Sequence, residues 1–563
     1  MKQLARAATA RRALMSALIA GIAVIFGGAI ASAQQAPSTA PPAQTPAPQI
    51  QPKEQPKASP GQNSTTQPGA ETHITPEQAK QLFALVDQLM QFSSQETGLP
   101  IKAEVKRRLT SRAAVEAYLK ERFNDDQGAK RLQQGEIVLK KFGLLDKDFD
   151  LKPFLLALLK EQIEAYYDSK TKTVNMLDWV AVDEQKPVLA HELTHALQDQ
   201  HVDLEKWSDQ TPSDVSTNYR DDVDHLAKDE EDTAREAVAE GQATAVMMDN
   251  ILKPMGKSLL KDPEVVDYIK QQMDGPGNSP VMARAPLLLS ESLLFPYREG
   301  LSFEQDLWMD QGQTAAFAGA LDHPPTSTWQ IINPRVYEKD LTPMVPIMPD
   351  IHPIVDKDYR AYDIGQVGEL DVNILTKLFG GDSPARDITP AWDGGIYWAG
   401  QRRSATTAAQ QASTKSISFF YLSEWKNAAS AQAFAQLYAD SLGRKYSGLH
   451  RDTKAEGTLP ANAPAGIVEQ VFDTDEGPVV IDTRGKTVFV SESFDLPMAR
   501  KLATLLIEAQ GTGDIQQASL HIPPSASMAN TPTLSGGLVR FFQDCGVMKA
   551  AVDAAHAAAL RTR

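Results

Sequence analysis

Apolar positions first become regular near residue 75. Thr75-Pro76-Glu77-Gln78 supplies an N-cap, a proline at the first helical position and the reciprocal glutamine of a capping box. Behind it, Leu82, Phe83, Leu85, Val86, Leu89 and Met90 form the stripe of an amphipathic helix. A second helix is predicted through Val115, Leu119 and Phe123, and a third, apolar on most sides, through Phe154, Leu155, Leu156, Leu158 and Leu159. Ala165-Tyr166-Tyr167 and Thr173–Leu177 flank the polar Asp168–Lys172, which predicts a β-hairpin. Helical spacing returns at Pro187. From 340 to 395 the chain is rich in Pro, Asp and Gly and reads as an irregular connection.

Farther on, Ile417–Leu422, Ile467–Phe472, Val479–Asp482 and Thr487–Val490 are strand-like. A helix carrying Phe434, Leu437, Tyr438 and Leu442 separates the first two, and another begins near Asp495 and runs through Leu502, Leu505 and Leu506. The pattern predicts an α+β protein: a mainly helical domain over 74–385 with a small sheet, a small α+β module over 386–515, and a loose tail over 516–563 ending in a short Ala-rich helix.

The first 73 residues follow other rules. Lys2, Arg6, Arg11 and Arg12 precede the apolar Ala13–Ile30, and Ala31-Ser32-Ala33 offers the small residues at which a signal peptide is cut. Residues 1–33 are therefore expected to be a signal peptide cleaved after Ala33. The protein would then be periplasmic or secreted and keep no membrane span. Nine prolines among residues 34–73 predict an extended linker.

Composition narrows the functional classes. Of 563 residues, 42% are hydrophobic and 23% charged, as in ordinary globular chains, and the formal charge is −16. That balance disfavours nucleic acid and anionic membrane as partners, since both attract a cationic face. The single cysteine, Cys545, makes neither an internal disulfide nor a thiolate zinc cluster.

Chemistry concentrates at His191-Glu192-Leu193-Thr194-His195. Histidines four apart lie on one helix face, so both imidazoles can reach one ion. Glu192 projects beside that ion, where it can take a proton from an attacking water. Val188, Leu189, Leu193, Ala196 and Leu197 predict that the helix is buried. A catalytic zinc takes three protein ligands. His201 stands eleven positions from His191, counted inclusively, where the metzincin pattern places its third histidine, but Gln198 occupies the place of the glycine that turns the chain back in that pattern. On a continuing helix His201 faces away. Glu240 and, one turn earlier, Glu236 are the carboxylate candidates. They lie beside the small-residue stripe Ala237, Gly241 and Ala245, which would let their helix approach the histidine helix closely. Tyr297, Arg298 and His323 are candidate oxyanion donors.

The block HELTHALQDQ, His191–Gln200, resembles bacterial zincin-clan metallopeptidase-like proteins of gluzincin-like pattern. Ala165–Val174, Glu240-Gly241-Gln242-Ala243-Thr244, Phe295-Pro296-Tyr297 with Gly300 and Phe303, and Pro324–Thr328 resemble further blocks of the same group. The likeness covers roughly 140–340. It implies a zincin-like domain, Zn2+ held by His191, His195 and Glu240, Glu192 as general base, and a peptide or protein substrate. Trp329 and Asn333 stand where that group's pattern leads one to expect Glu and His, and Thr244 where thermolysin-type enzymes have Asp. An alternative is a zincin-fold protein that binds a peptide or partner without cleaving it. A third reading is a tethered structural protein acting through its C-terminal module.

Overall fold

A computed structural model describes residues 73–125, 127–208, 218–259, 262–273, 279–456, 468–511, 534–543 and 549–561. The stretches expected to be a signal peptide and a linker, up to residue 72, and Cys545 lie outside them.

The chain is mixed α+β and mainly helical. Helix α1 (Pro76–Thr97) opens with the expected capping box between Thr75 and Gln78 and ends on Gly98 in the left-handed conformation. Strand β1 (Lys106–Thr110) follows, then α2 (Arg112–Asp125), α3 (Gln127–Phe142) and α4 (Leu151–Gln162). The hairpin is β2 (Tyr166–Asp168) and β3 (Thr173–Leu177), antiparallel and paired from Tyr166 with Asn175. β1 lies parallel on the other side of β3, from Lys106 opposite Thr173. β3 is therefore the centre of a three-stranded sheet, and every one of its residues is buried. Residues 74–160 complete this fold: they supply β1, and α1 packs along the histidine-bearing helix, with Ser93 Oγ donating to the Ala190 carbonyl at 3.1 Å.

That helix is α5 (Val182–Val202), followed by α6 (Tyr219–Lys228), α7 (Glu231–Leu252), α8 (Glu264–Met273) and α9 (Leu287–Gln311). α5 and α7 are buried on nearly all sides. α7 packs against α5 as expected, but Gly241 of the small-residue stripe serves a different contact. A Cβ added at Gly241 would lie 2.3 Å from the Gly300 carbonyl oxygen, so the close approach is between α7 and α9.

The stretch read as irregular contains strand β4 (Tyr359–Gln366), helix α10 (Glu369–Gly380) and the start of β5 (Trp392–Arg402). Some of its glycines, Gly368, Gly380 and Gly381, mark the ends of α10 and others lie within the strands, so a count of turn-forming residues hid these segments. β6 (Ile417–Trp425), α11 (Ala428–Lys445), β7 (His450–Arg451), β8 (Val468–Asp473), β9 (Val479–Arg484), β10 (Thr487–Glu492) and α12 (Leu496–Ala509) follow, with α12 capped by Asp495. The seven strands form one antiparallel sheet in the order β4-β5-β6-β10-β9-β8-β7. This sheet begins upstream of residue 386, and residues 70–563 cluster as one unit across that boundary.

The tail ends in the expected Ala-rich helix, α14 (Lys549–Arg561), and the part expected to be loose carries another, α13 (Gly536–Gln543); both are packed. Leu538, Val539 and Phe542 are buried against α7 and α9, and Ala551, Ala554, Ala555 and Ala558 put a flat apolar face on α8. Alanine contributes little area per residue, so this face shows weakly in a hydropathy pattern although it packs closely. Among the described residues no helix is long and apolar enough to cross a membrane.

Candidate metal centre

His191 and His195 lie one turn apart on α5, and Leu189, Leu193, Ala196 and Leu197 bury its other faces. Glu240 comes from the middle of α7, flanked by buried Ala237, Ala239, Gly241 and Ala243. His191 Nε2 lies 3.0 Å from Glu240 Oε2 and 3.0 Å from His195 Nε2. His195 Nε2 lies 3.6 Å from Glu240 Oε1. The imidazole planes cross at 80° with centroids 4.7 Å apart, so the two Nε2 atoms converge. Among the described residues, His191, His195 and Glu240 form the group whose metal-ligating atoms all lie within 4.8 Å of one another.

The donor set fits zinc. Tetrahedral Zn2+ with N and O ligands at roughly 2.0–2.1 Å spaces those ligands ~3.3 Å apart, which the distances here bracket. The electrostatics agree. Burial alone would lower the pKa of His195, but the Glu240 charge and hydrogen bond, with help from Glu192 and Gln198, raise it to about 9. Burial would raise Glu240, yet His195 and His191 hold its carboxyl well below the usual range. The pocket thus favours positive charge at the meeting point, where a divalent cation competes with a proton. Glu192 is fully buried, and its charge reaches His195 without its joining the group of three.

His201 stands apart, with Nε2 2.9 Å from Asp322 Oδ1. α5 continues through it and ends at Val202, with Asp203 in the left-handed conformation. Glu236 is buried one turn before Glu240 and lies outside the group. Tyr297 stacks near His191, ring centroids 6.1 Å apart. Arg298 is held by Glu291 at 2.6 Å and Glu299 at 3.1 Å, and His323 is exposed. Asn333 Nδ2 donates to the Trp329 carbonyl and to Glu369 Oε2, tying Thr328–Ile332 to α10.

Sequence reasoning missed the amides that back this centre. Gln198 Oε1 lies 2.8 Å from His195 Nδ1, and Gln198 Nε2 donates to the Ala239 carbonyl and to Gln242 Oε1, both at 2.9 Å. The signal was available: 191, 195 and 198 share one helix face, and a glutamine there has to be satisfied in a buried helix. No family model matches the chain, and neither a curated protein nor a solved structure matches it.

Proposed function

We propose that this chain is an exported zinc-dependent metallopeptidase with a zincin-like site, hydrolysing peptide bonds in a peptide or protein substrate. One observation carries the reading: His191, His195 and Glu240, 49 positions apart at the extremes, bring their donor atoms together with Glu192 alongside. When bound, zinc supplies Lewis acidity and lowers the pKa of the attacking water towards neutrality.

The chain's residues do the rest. Glu192 accepts the water's proton and returns it to the leaving amine. Its burial keeps bulk water from competing for that proton. Glu240 offsets part of the cation's charge in a buried pocket. The test compares casein cleavage and zinc content in wild type and Glu192→Gln. Zinc retained in both, with cleavage reduced about 10²–10⁴-fold in the variant, is the expected result. Equal cleavage in the two proteins would refute the reading.

A second reading is a zincin-fold protein that binds a peptide or partner and does not cleave. The near-complete burial of His191, Glu192 and Glu240 favours it, because a scissile bond must reach them. Zinc bound stoichiometrically with equal background cleavage in both proteins is its signature.

A further inference from the structure

The metal site is backed by a chain of two side-chain amides whose polarity is set at its ends. Gln242 Nε2 donates to the Ala316 carbonyl at 2.9 Å and to the Phe317 carbonyl at 3.0 Å. A carbonyl only accepts, so the nitrogen of Gln242 must face these two groups and its oxygen must face back towards α5. That oxygen receives Gln198 Nε2, which also donates to the carbonyl of Ala239. Gln198 is thereby oriented twice over, and its Oε1 points at His195 Nδ1. An amide oxygen cannot donate. His195 Nδ1 must therefore carry a hydrogen, which leaves the lone pair of the neutral ring on Nε2, the atom facing His191 and Glu240.

The two carbonyls that start the chain lie in a single π-helical stretch, Ala315–Gly319. Widened turns of this kind interrupt the ordinary helical bonding and recur at functional sites. Both glutamines are fully buried, where an unsatisfied amide is costly.

We infer that Gln198 and Gln242 are positioning residues: they carry the polarity of the Ala316 and Phe317 carbonyls to His195 and hold it in the tautomer that ligates through Nε2. The inference rests on the reading of His191, His195 and Glu240 as a zinc site. Neither glutamine touches the cation or the substrate.

The experiment measures zinc affinity of the full chain by competition with a chromogenic chelator, and the visible absorption of the Co2+-substituted protein. Circular dichroism melting of the metal-free forms checks folding. In Gln198→Met, which lacks the acceptor, zinc affinity is expected to fall about 10–100-fold, the usual range for losing a group that orients a metal-binding histidine. The Co2+ bands should weaken as His195 becomes a poorer ligand. Gln198→Glu keeps an acceptor opposite Nδ1 but sets a carboxyl oxygen against the Ala239 carbonyl and Gln242 Oε1, so its loss should be smaller than that of Gln198→Met without vanishing. Gln242→Met leaves Gln198 oriented by Ala239 alone and should fall between wild type and Gln198→Met.

Wild-type affinity in Gln198→Met, or a loss in Gln198→Glu as large as in Gln198→Met, overturns the positioning role. If neither position-198 variant folds, Gln242→Met decides: unchanged affinity and an unchanged Co2+ spectrum overturn it. Absence of zinc binding in the wild-type protein is a separate result, and it removes the metal site itself.

Discussion

Gly241 and Gly300 bring the backbones of α7 and α9 into direct contact. A Cβ on Gly241 would sit 2.3 Å from the Gly300 carbonyl oxygen, and one on Gly300 would sit 2.1 Å from that of Ala237. No side chain can turn aside to relieve either clash, because the obstacle is main chain. Gly241 directly follows Glu240, so the crossing that needs these glycines also sets where the carboxylate stands against α5.

Gly241→Ala or Gly300→Ala should cost about 3 kcal/mol or more, by forcing the two helices apart. Zinc affinity should fall along with stability. Gly443→Ala in α11 is the control: no atom lies within 4 Å of its added Cβ, and alanine there should stabilise by about 0.5–1 kcal/mol. Denaturant unfolding reads all three, and wild-type stability in Gly241→Ala would contradict the packing argument.

Glu240 and Glu236 can be told apart directly. Glu240→Gln should abolish stoichiometric zinc binding, since a neutral amide is a poor third ligand beside two imidazoles. Glu236→Gln should retain zinc, its carboxylate lying outside the converging group. Metal analysis after gel filtration separates them, and the reverse outcome would exchange the two assignments.

Glu230 makes stability depend on pH. Its buried carboxyl accepts from the Thr328 amide at 2.9 Å and hydroxyl at 2.7 Å, and burial, reinforced by Asp371, pushes its pKa up to about 8. In the unfolded chain it ionises near the ordinary glutamate value of 4.5, while the folded protein keeps its proton until about 8. The unfolded state is therefore favoured progressively as pH rises through that window. Glu230→Gln removes this penalty. The variant should gain on the order of 1–3 kcal/mol relative to wild type at pH 8 and nothing near pH 4.5. A pH-independent difference would count against the assignment.

Lys141 is buried on α3, donating to Glu476 Oε2 and Ser493 Oγ, both at 2.7 Å, and so ties that helix to the loops of the seven-stranded sheet. Glu476→Leu strands a buried ammonium and should destabilise by about 3–5 kcal/mol. Adding Lys141→Met should recover part of that loss, because the uncompensated charge is then gone. Unfolding of the single and double variants checks the sign.

Truncation after Gly511 removes α13 and α14. Leu534, Leu538, Val539 and Phe542 are buried, and Asp371 Oδ1 accepts from the Ser535 amide at 3.0 Å. Exposing their contact surface on α7, α8 and α9 should lower the melting temperature by about 10 °C or make the protein insoluble. An unchanged melting temperature would mean these helices add nothing to the core.

The chain's own pattern determined the locally encoded features. A capping box, a 3.6-residue stripe and an alternating hairpin depend on neighbours within a few positions, so Pro76–Thr97, Tyr166–Leu177 and most C-terminal strands were legible. The spacing of His191 and His195 required them to share a helix face, and the unbroken α5 kept His201 away. Tertiary structure decided what distant segments do to each other. It selected Glu240 over Glu236, turned Gly241 towards α9, inserted β1 beside β3, and seated the alanine-rich end on α8. It also joined Gln198 to Gln242 and, through it, to two carbonyls more than seventy positions farther along the chain. Such contacts leave no periodic trace, because each depends on one residue meeting one partner at a helix crossing and not on a repeated face.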